Sequence, residues 1–225
     1  MIDATYHPAD RRPLASRDLE IVHHVVAWLI ARGVSANAVS LCSIACAALA
    51  SLCLAGTALT DALGVRWLFL LSALFVQARL LANLLDGMVA VGSGQASPEG
   101  ELYNEVPDRV ADALILIGAG FAAGGTPALG YLAALVAVFV AYIRALGGSV
   151  GVHALFGGPM AKPQRMATIT AACIYCAAAP AAWPGGLATG AFGAVSAALA
   201  LVISGGVLTA IRRLQRIVAQ LRRSA

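Results

Sequence analysis

ALILIGAGFAAGGTPALGYLAALVAVFVAYI, residues 113–143, carries no charged side chain, and its length decides the fold. A helix that crosses a hydrocarbon core of ~30 Å needs ~20 mostly apolar residues. The run is broken at Gly124-Gly125-Thr126-Pro127, where glycine and proline interrupt helical backbone, so it feeds two helices. It is too short for two full spans. The first of the two helices must therefore begin earlier, inside the acidic segment around Pro107 and Asp108, which places carboxylates on a membrane-embedded helix.

Working outward, the same pattern repeats. From Gly33 to Thr60 no side chain is charged, which accommodates a span starting near Asn37. Trp67 to Leu85 is interrupted only by Arg79, and Met166 to Ile211 is uncharged apart from a break at Trp183-Pro184-Gly185-Gly186. Composition agrees: 60% of residues are hydrophobic and 12% charged, against about 25% charged in an average soluble domain. The 23 glycines would weaken soluble helices, whereas in a membrane small residues let neighbouring backbones approach. A water-soluble single-core fold is excluded. The expectation is an all-α polytopic membrane protein with six transmembrane helices in one domain, residues 1–225. Residues 1–33 form a cytoplasmic interfacial segment, 34–213 the six-helix core, and 214–225 a basic cytoplasmic tail.

The basic residues orient it. Six spans put both termini on one side, with Arg11, Arg12, Arg17, Arg32, Arg109, Arg144, Lys162, Arg165, Arg212, Arg213, Arg216, Arg222 and Arg223; the other side receives Arg66. The positive-inside rule makes the termini cytoplasmic, in a membrane of bacterial cytoplasmic type. Trp67 and Trp183 then fall at the far interface. No apolar core directly follows the initial charges, so no cleavable signal peptide is expected. Residues 16–32 alternate like an amphipathic helix: Leu19, Val22, Val26 and Leu29 on one face, Asp18, Glu20, His23 and His24 mainly on the other. Such a helix lies in the membrane interface or docks on the rest of the protein, and the two are compatible.

Cys42, Cys46, Cys53, Cys173 and Cys176 sit in apolar spans and serve as small hydrophobes. The Cys173-x-x-Cys176 spacing lacks an electropositive neighbour that would ionise a thiol. His153 has no partner at ligand spacing. Nucleic acid is not an expected partner, and a transporter would need polar groups along a whole pathway, whereas here they gather at the cytoplasmic end.

There the second span ends Asn83-Leu84-Leu85-Asp86-Gly87-Met88-Val89-Ala90-Val91. After a polar loop comes Gly100-Glu101-Leu102-Tyr103-Asn104-Glu105-Val106-Pro107-Asp108-Arg109-Val110-Ala111-Asp112. Ionisable groups at membrane depth are costly and mark functional sites by default. Asn83 and Asp86 share a helix face, and Asn104, Asp108 and Asp112 form an i, i+4, i+8 stripe. The short connection makes the two helices antiparallel neighbours with opposed oxygen-bearing faces. Hard oxygen ligands suit Mg²⁺, Mn²⁺ or Ca²⁺. Gly87 and Gly100 remove side chains beside the pocket, so a bulky ligand can reach the backbone. Arg144, Lys162 and Arg165, near the glycine-rich stretch at Gly157-Gly158, form a phosphate or headgroup pocket or else ordinary positive-inside anchors.

This frame resembles the CDP-alcohol phosphotransferases, whose motif reads Asp-x-x-Asp-Gly-x-x-Ala-Arg, about eight residues, then Gly-x-x-x-Asp-x-x-x-Asp. Here the spacing is kept as Asn83-x-x-Asp86-Gly87-x-x-Ala90-Val91, eight residues, Gly100-x-x-x-Asn104-x-x-x-Asp108. Ser35-Ala36-Asn37 is similar to the Pro-Asn start of the family's first span, without the proline. The resemblance implies transfer of a phosphatidyl group from CDP-diacylglycerol to an alcohol acceptor with release of CMP. Alternatives are a CDP-alcohol donor with a lipid acceptor, or a non-catalytic descendant that binds CDP-lipids or headgroups. It further implies Mg²⁺ or Mn²⁺, a homodimer among membrane lipids, Asp86 as a metal ligand and Asp108 as general base at the fourth motif position. Asn83 and Asn104 stand at the other two ligand positions. Amide oxygens bring no charge, so metal affinity falls; Glu101, Glu105 and Asp112 are placed to compensate, and Arg79 to replace the cation missing at Val91.

Overall fold

The computed structural model describes residues 19–94, 98–152, 155–179 and 192–224, without the side chains at 62, 98–104 and 224. The described residues are helical: α1 (Glu20–Ala31), α2 (Ala36–Gly56) with a 3-10 turn at Thr57–Leu59, α3 (Ala62–Gly92), α4 (Pro98–Gly120), α5 (Pro127–Ser149), α6 (Lys162–Ala178) and α7 (Ala194–Ser224). The break expected at 124–127 is where α4 and α5 part, with Gly124 at φ +70° and Pro127 opening α5. As the charge pattern requires, α4 starts ahead of Pro107. Ser35 and Asp61 cap α2 and α3, their side chains accepting from Ala38 N and Gly64 N at 3.2 and 2.8 Å. Asp18, His153 and the Trp183–Gly186 break lie outside the described residues.

Helices α2 to α7 close into a ring in which α2 packs on α3, α3 on α6, α6 on α7, α7 on α5, α5 on α4, and α4 back on α2. The centre is filled by Leu54, Phe69, Ile115, Leu116, Met166 and Leu199, all fully buried. Large apolar side chains such as Leu41, Leu52, Trp67, Leu74, Leu135 and Leu201 point outward instead. An apolar exterior around an apolar centre is the arrangement lipid stabilises and water does not. Among the described residues four helical stretches are long and apolar enough to cross a membrane: Ala36–Leu59, Leu63–Gly92, Pro127–Ser149 and Ala194–Arg223. The architecture is that of a multi-pass membrane protein. Helix α4 carries the acidic residues along its first half, and α6 is short, at 17 residues.

The ring order revises one expectation. Helices α3 and α4 are consecutive in sequence and meet through Arg79, Asp108 and Asp112, but each packs more extensively on α2 than on the other. The cause is composition: α2 is rich in Ala, Ser and Cys, so it presents small residues to both neighbours. Helix α1 docks through Val22 and Val26 on Leu85 and Val89 of α3, beside Val39, and leaves Ile21 and Trp28 exposed.

Candidate active site

The polar residues picked out in the sequence converge where α3, α4 and α6 face one another. Arg79 is fully buried on α3, one turn before Asn83. Its Nη2 lies 3.0 Å from Asp108 Oδ1 and 2.8 Å from Asp112 Oδ1. Asp112 Oδ1, despite that ion-pair contact, and Arg79 Nε and Nη1 are buried with no hydrogen-bond partner among the described residues. Arg165, also buried, donates from Nη2 to Asp112 Oδ2 at 2.7 Å and from Nη1 to Met160 O at 3.3 Å. Asp112 is thus held between two arginines from α3 and α6. A buried carboxylate without such partners would be expelled or neutralised.

Lys162 opens α6. Its Nζ donates to Asn83 Oδ1 and to Asp108 Oδ2, tying α6 to both α3 and α4. Asp86 is buried against α2: its Oδ2 accepts from Ser40 Oγ at 2.8 Å and its Oδ1 from the Gly87 amide at 2.6 Å. Farther toward the outside, Glu105 pairs with Arg109 at 3.1 Å and with Arg144, whose guanidinium lies 6.0 Å from the Phe156 ring. Arg109 also reaches Asp108, at 3.5 Å.

Of the sequence candidates, Asn83, Asp108 and Lys162 come together directly, with Arg165 joined through Asp112 and Arg79. Asp86 shares the α3 face with Asn83 but is fixed to Ser40. Arg144 belongs with Glu105 at the rim. Gly87 contributes its amide to Asp86, while the side chain of Asn104 and the surroundings of Gly100 and Glu101 are not described. Two residues escaped sequence reasoning. Ser40 is one of several small residues in α2 with no signal of its own, and Arg109 reads as a boundary charge until its partners are seen.

The residues present do not fit a divalent ion held as the motif implies. Both described oxygens of Asp86 and both of Asp108 already accept from protein donors, and two of the groups bound to Asp108 and Asn83 are cationic side chains. Glu105 and Asp112, expected to compensate for the asparagines, are turned to arginines instead. Among the described residues no group of three or more His, Cys, Asp or Glu side chains is arranged to hold a metal ion. The ion pairs among the described residues join three carboxylates, Asp108, Asp112 and Glu105, to five cations, Arg79, Arg109, Arg144, Lys162 and Arg165. That balance suits an anion.

Solved structures supply the comparison. The chain superposes on Mycobacterium tuberculosis phosphatidylinositol phosphate synthase with CDP-DAG bound at a TM-score of 0.70 and 18% identity, covering 88% of this chain and 94% of that one. The fold is that synthase's fold. The same enzyme in complex with manganese and citrate gives a TM-score of 0.69 at 18% identity, with 87% and 88% of the two chains covered. Its apo form gives 0.65 at 17%, with 85% and 93% covered. No protein-family model matches the sequence, and no curated protein matches it. At this identity the two chains share the fold while most of their side chains differ.

Proposed function

We propose that this chain is a CDP-alcohol phosphotransferase of phospholipid biosynthesis that takes CDP-diacylglycerol as donor and an alcohol as acceptor. The single observation carrying the reading is the conjunction of synthase fold and motif frame: Asn83, Asp86, Gly87 and Asp108 stand at family spacing, and the structure joins Asn83 to Asp108 through Lys162. A synthase of this fold has CDP-DAG bound in one of its solved structures, which supports the donor class. The membrane arrangement proposed with it is six spans, α2 to α7, in one domain, with both termini and the site at the cytoplasmic face and α1 lying in that interface. A homodimer is part of the same proposal.

In the reaction, the acceptor hydroxyl oxygen attacks the phosphorus that carries the diacylglycerol. The bond from that phosphorus to the bridging oxygen breaks, and CMP departs with the electron pair. Asp108 takes the acceptor's proton; Arg79 and Lys162, which donate to its two oxygens, fix the orientation of its carboxylate. Lys162 and Arg144, more accessible than the buried Arg79 and Arg165, face the diphosphate, and positive charge fixed before the reaction favours the charge that develops on CMP. Arg165 and Arg79 position Asp112 and Asp108. Magnesium or manganese, which the family resemblance implies, would first have to displace Lys162 from Asn83 and Asp108.

The test is CMP release from CDP-diacylglycerol by purified protein, with glycerol 3-phosphate, serine, inositol phosphate, glycerol and phosphatidylglycerol as acceptors. Release with one acceptor, abolished in Asp108→Asn, is the expected result. No release with any acceptor, repeated with CDP-alcohol donors, favours the second reading: a CDP-lipid-binding descendant, motivated by the two asparagines in the motif.

A further inference from the structure

We infer that in this chain the Lys162 ammonium does the electrostatic work of a divalent ion, so that the site binds the diphosphate of a CDP-linked lipid without metal. The inference rests on the donor reading above and concerns how that same site holds its ligand.

Position comes first. The ammonium bonds at once to Asn83 Oδ1 and Asp108 Oδ2, the first and last positions of the motif frame, which lie on different helices. It thus stands between two of the oxygens that the motif would offer a hard cation. Charge comes second. Of the four motif positions only Asp86 and Asp108 are acidic, and Asp86 spends both oxygens on Ser40 and its neighbour's amide. One ammonium together with Arg79 offsets what remains, whereas a divalent ion beside them would face repulsion from both cations.

Local helix physics gives a third reason. Lys162 is the first residue of α6, and a cation there opposes the helix dipole, which favours negative charge at an N-terminus. The lysine gains nothing from the helix it begins. What holds it is Asp108 and Asn83, so its placement is explained by the site. Accessibility is the fourth. The side chains of Arg79 and Arg165 are 0% and 2% exposed, while that of Lys162 is 19% exposed. Among the three cations nearest Asp108 and Asp112 it is the one able to touch an incoming phosphate, and lysine is a compact point charge suited to that contact.

The experiment is binding of CDP-diacylglycerol to the purified full chain in detergent, measured by thermophoresis in excess EDTA and again with excess MnCl₂. The expected affinities agree within about twofold, while Lys162→Ala weakens binding on the order of tenfold or more in EDTA and Lys162→Arg restores most of it. Alongside, the spin-resonance spectrum of Mn²⁺ added to the wild type should remain that of the free ion. The triple variant Asn83→Asp, Asn104→Asp, Lys162→Ala should acquire bound Mn²⁺. Wild-type binding seen with MnCl₂ and lost in EDTA overturns the inference and leaves the donor reading standing. Failure to bind CDP-diacylglycerol in either medium, by protein that still unfolds cooperatively, overturns the donor reading and the inference with it.

Discussion

The two halves of α4 are held in place by opposite kinds of force. Its first half presents Glu105, Asp108 and Asp112 to arginines and a lysine drawn from three other helices. Its second half sends Ile115 and Leu116 into the apolar core and crosses its neighbours at glycines. A Cβ on Gly118 would lie 2.6 Å from Ser51 Cα on α2, and one on Gly130 of α5 would lie 2.8 Å from Gly120 Cα. At one end, helices are kept apart by long charged side chains that meet in the middle; at the other, bare backbones touch. Close backbone contact fixes a fold through dispersion and needs no partner chemistry. Ion pairs join helices through charged side chains, and such charge is what an anionic ligand meets. The helix thus joins a rigid anchor to an adaptable site.

That contrast can be broken at either end. The largest effect is expected at Arg79. Arg79→Ala leaves Asp108 and Asp112 buried without their shared counter-charge and should cost about 3–5 kcal/mol of stability. Thermal unfolding in detergent reads this as a large drop in Tm, and the double variant with Asp112→Asn should recover part of it. Recovery of nothing would mean that the pair is not coupled. Next comes Gly130→Val. The clash is with backbone, which cannot rotate away, so a loss of about 1–3 kcal/mol is expected, with CDP-diacylglycerol affinity per folded molecule unchanged. A variant that stays folded but loses affinity would show that the apolar end shapes the site after all.

A smaller effect sharpens the comparison from a third place. Arg66 donates to Ala177 O and Ala179 O, both at 2.9 Å, tying the start of α3 to the last turn of α6. A guanidinium there satisfies carbonyls that the helix leaves open and complements its dipole. Arg66→Ala should lower stability by about 1 kcal/mol. Hydrogen exchange should quicken in the last turn of α6 and stay unchanged near Lys162. It also explains why Arg66 stands apart from the other basic residues: its role is a cap.

Much of this was legible in the sequence, for particular reasons. The uncharged run at 113–143 announced that α4 must begin among carboxylates, because span length is a hard physical limit. The spacing of Asn83, Asp86 and Asp108 put them on the correct helices, because helical periodicity is local. What could not be read was anything that depended on the ring. Lys162 meets Asn83 and Asp108 across 79 and 54 residues of chain, and no local pattern encodes that meeting. That α2 packs more extensively on both α3 and α4 than these two do on each other was equally hidden. The same holds for Glu105 and Asp112, which sequence proximity assigned to the metal ligands and which the fold gives to arginines.

The most direct test is a structure of the purified protein with CDP-diacylglycerol. The account predicts the diphosphate between α3, α4 and α6, in contact with Lys162 and within reach of Asp108, with α4 from Ile115 to Gly120 unmoved. A diphosphate bound elsewhere on the chain, with Lys162 still bonded to Asn83 and Asp108, would contradict it.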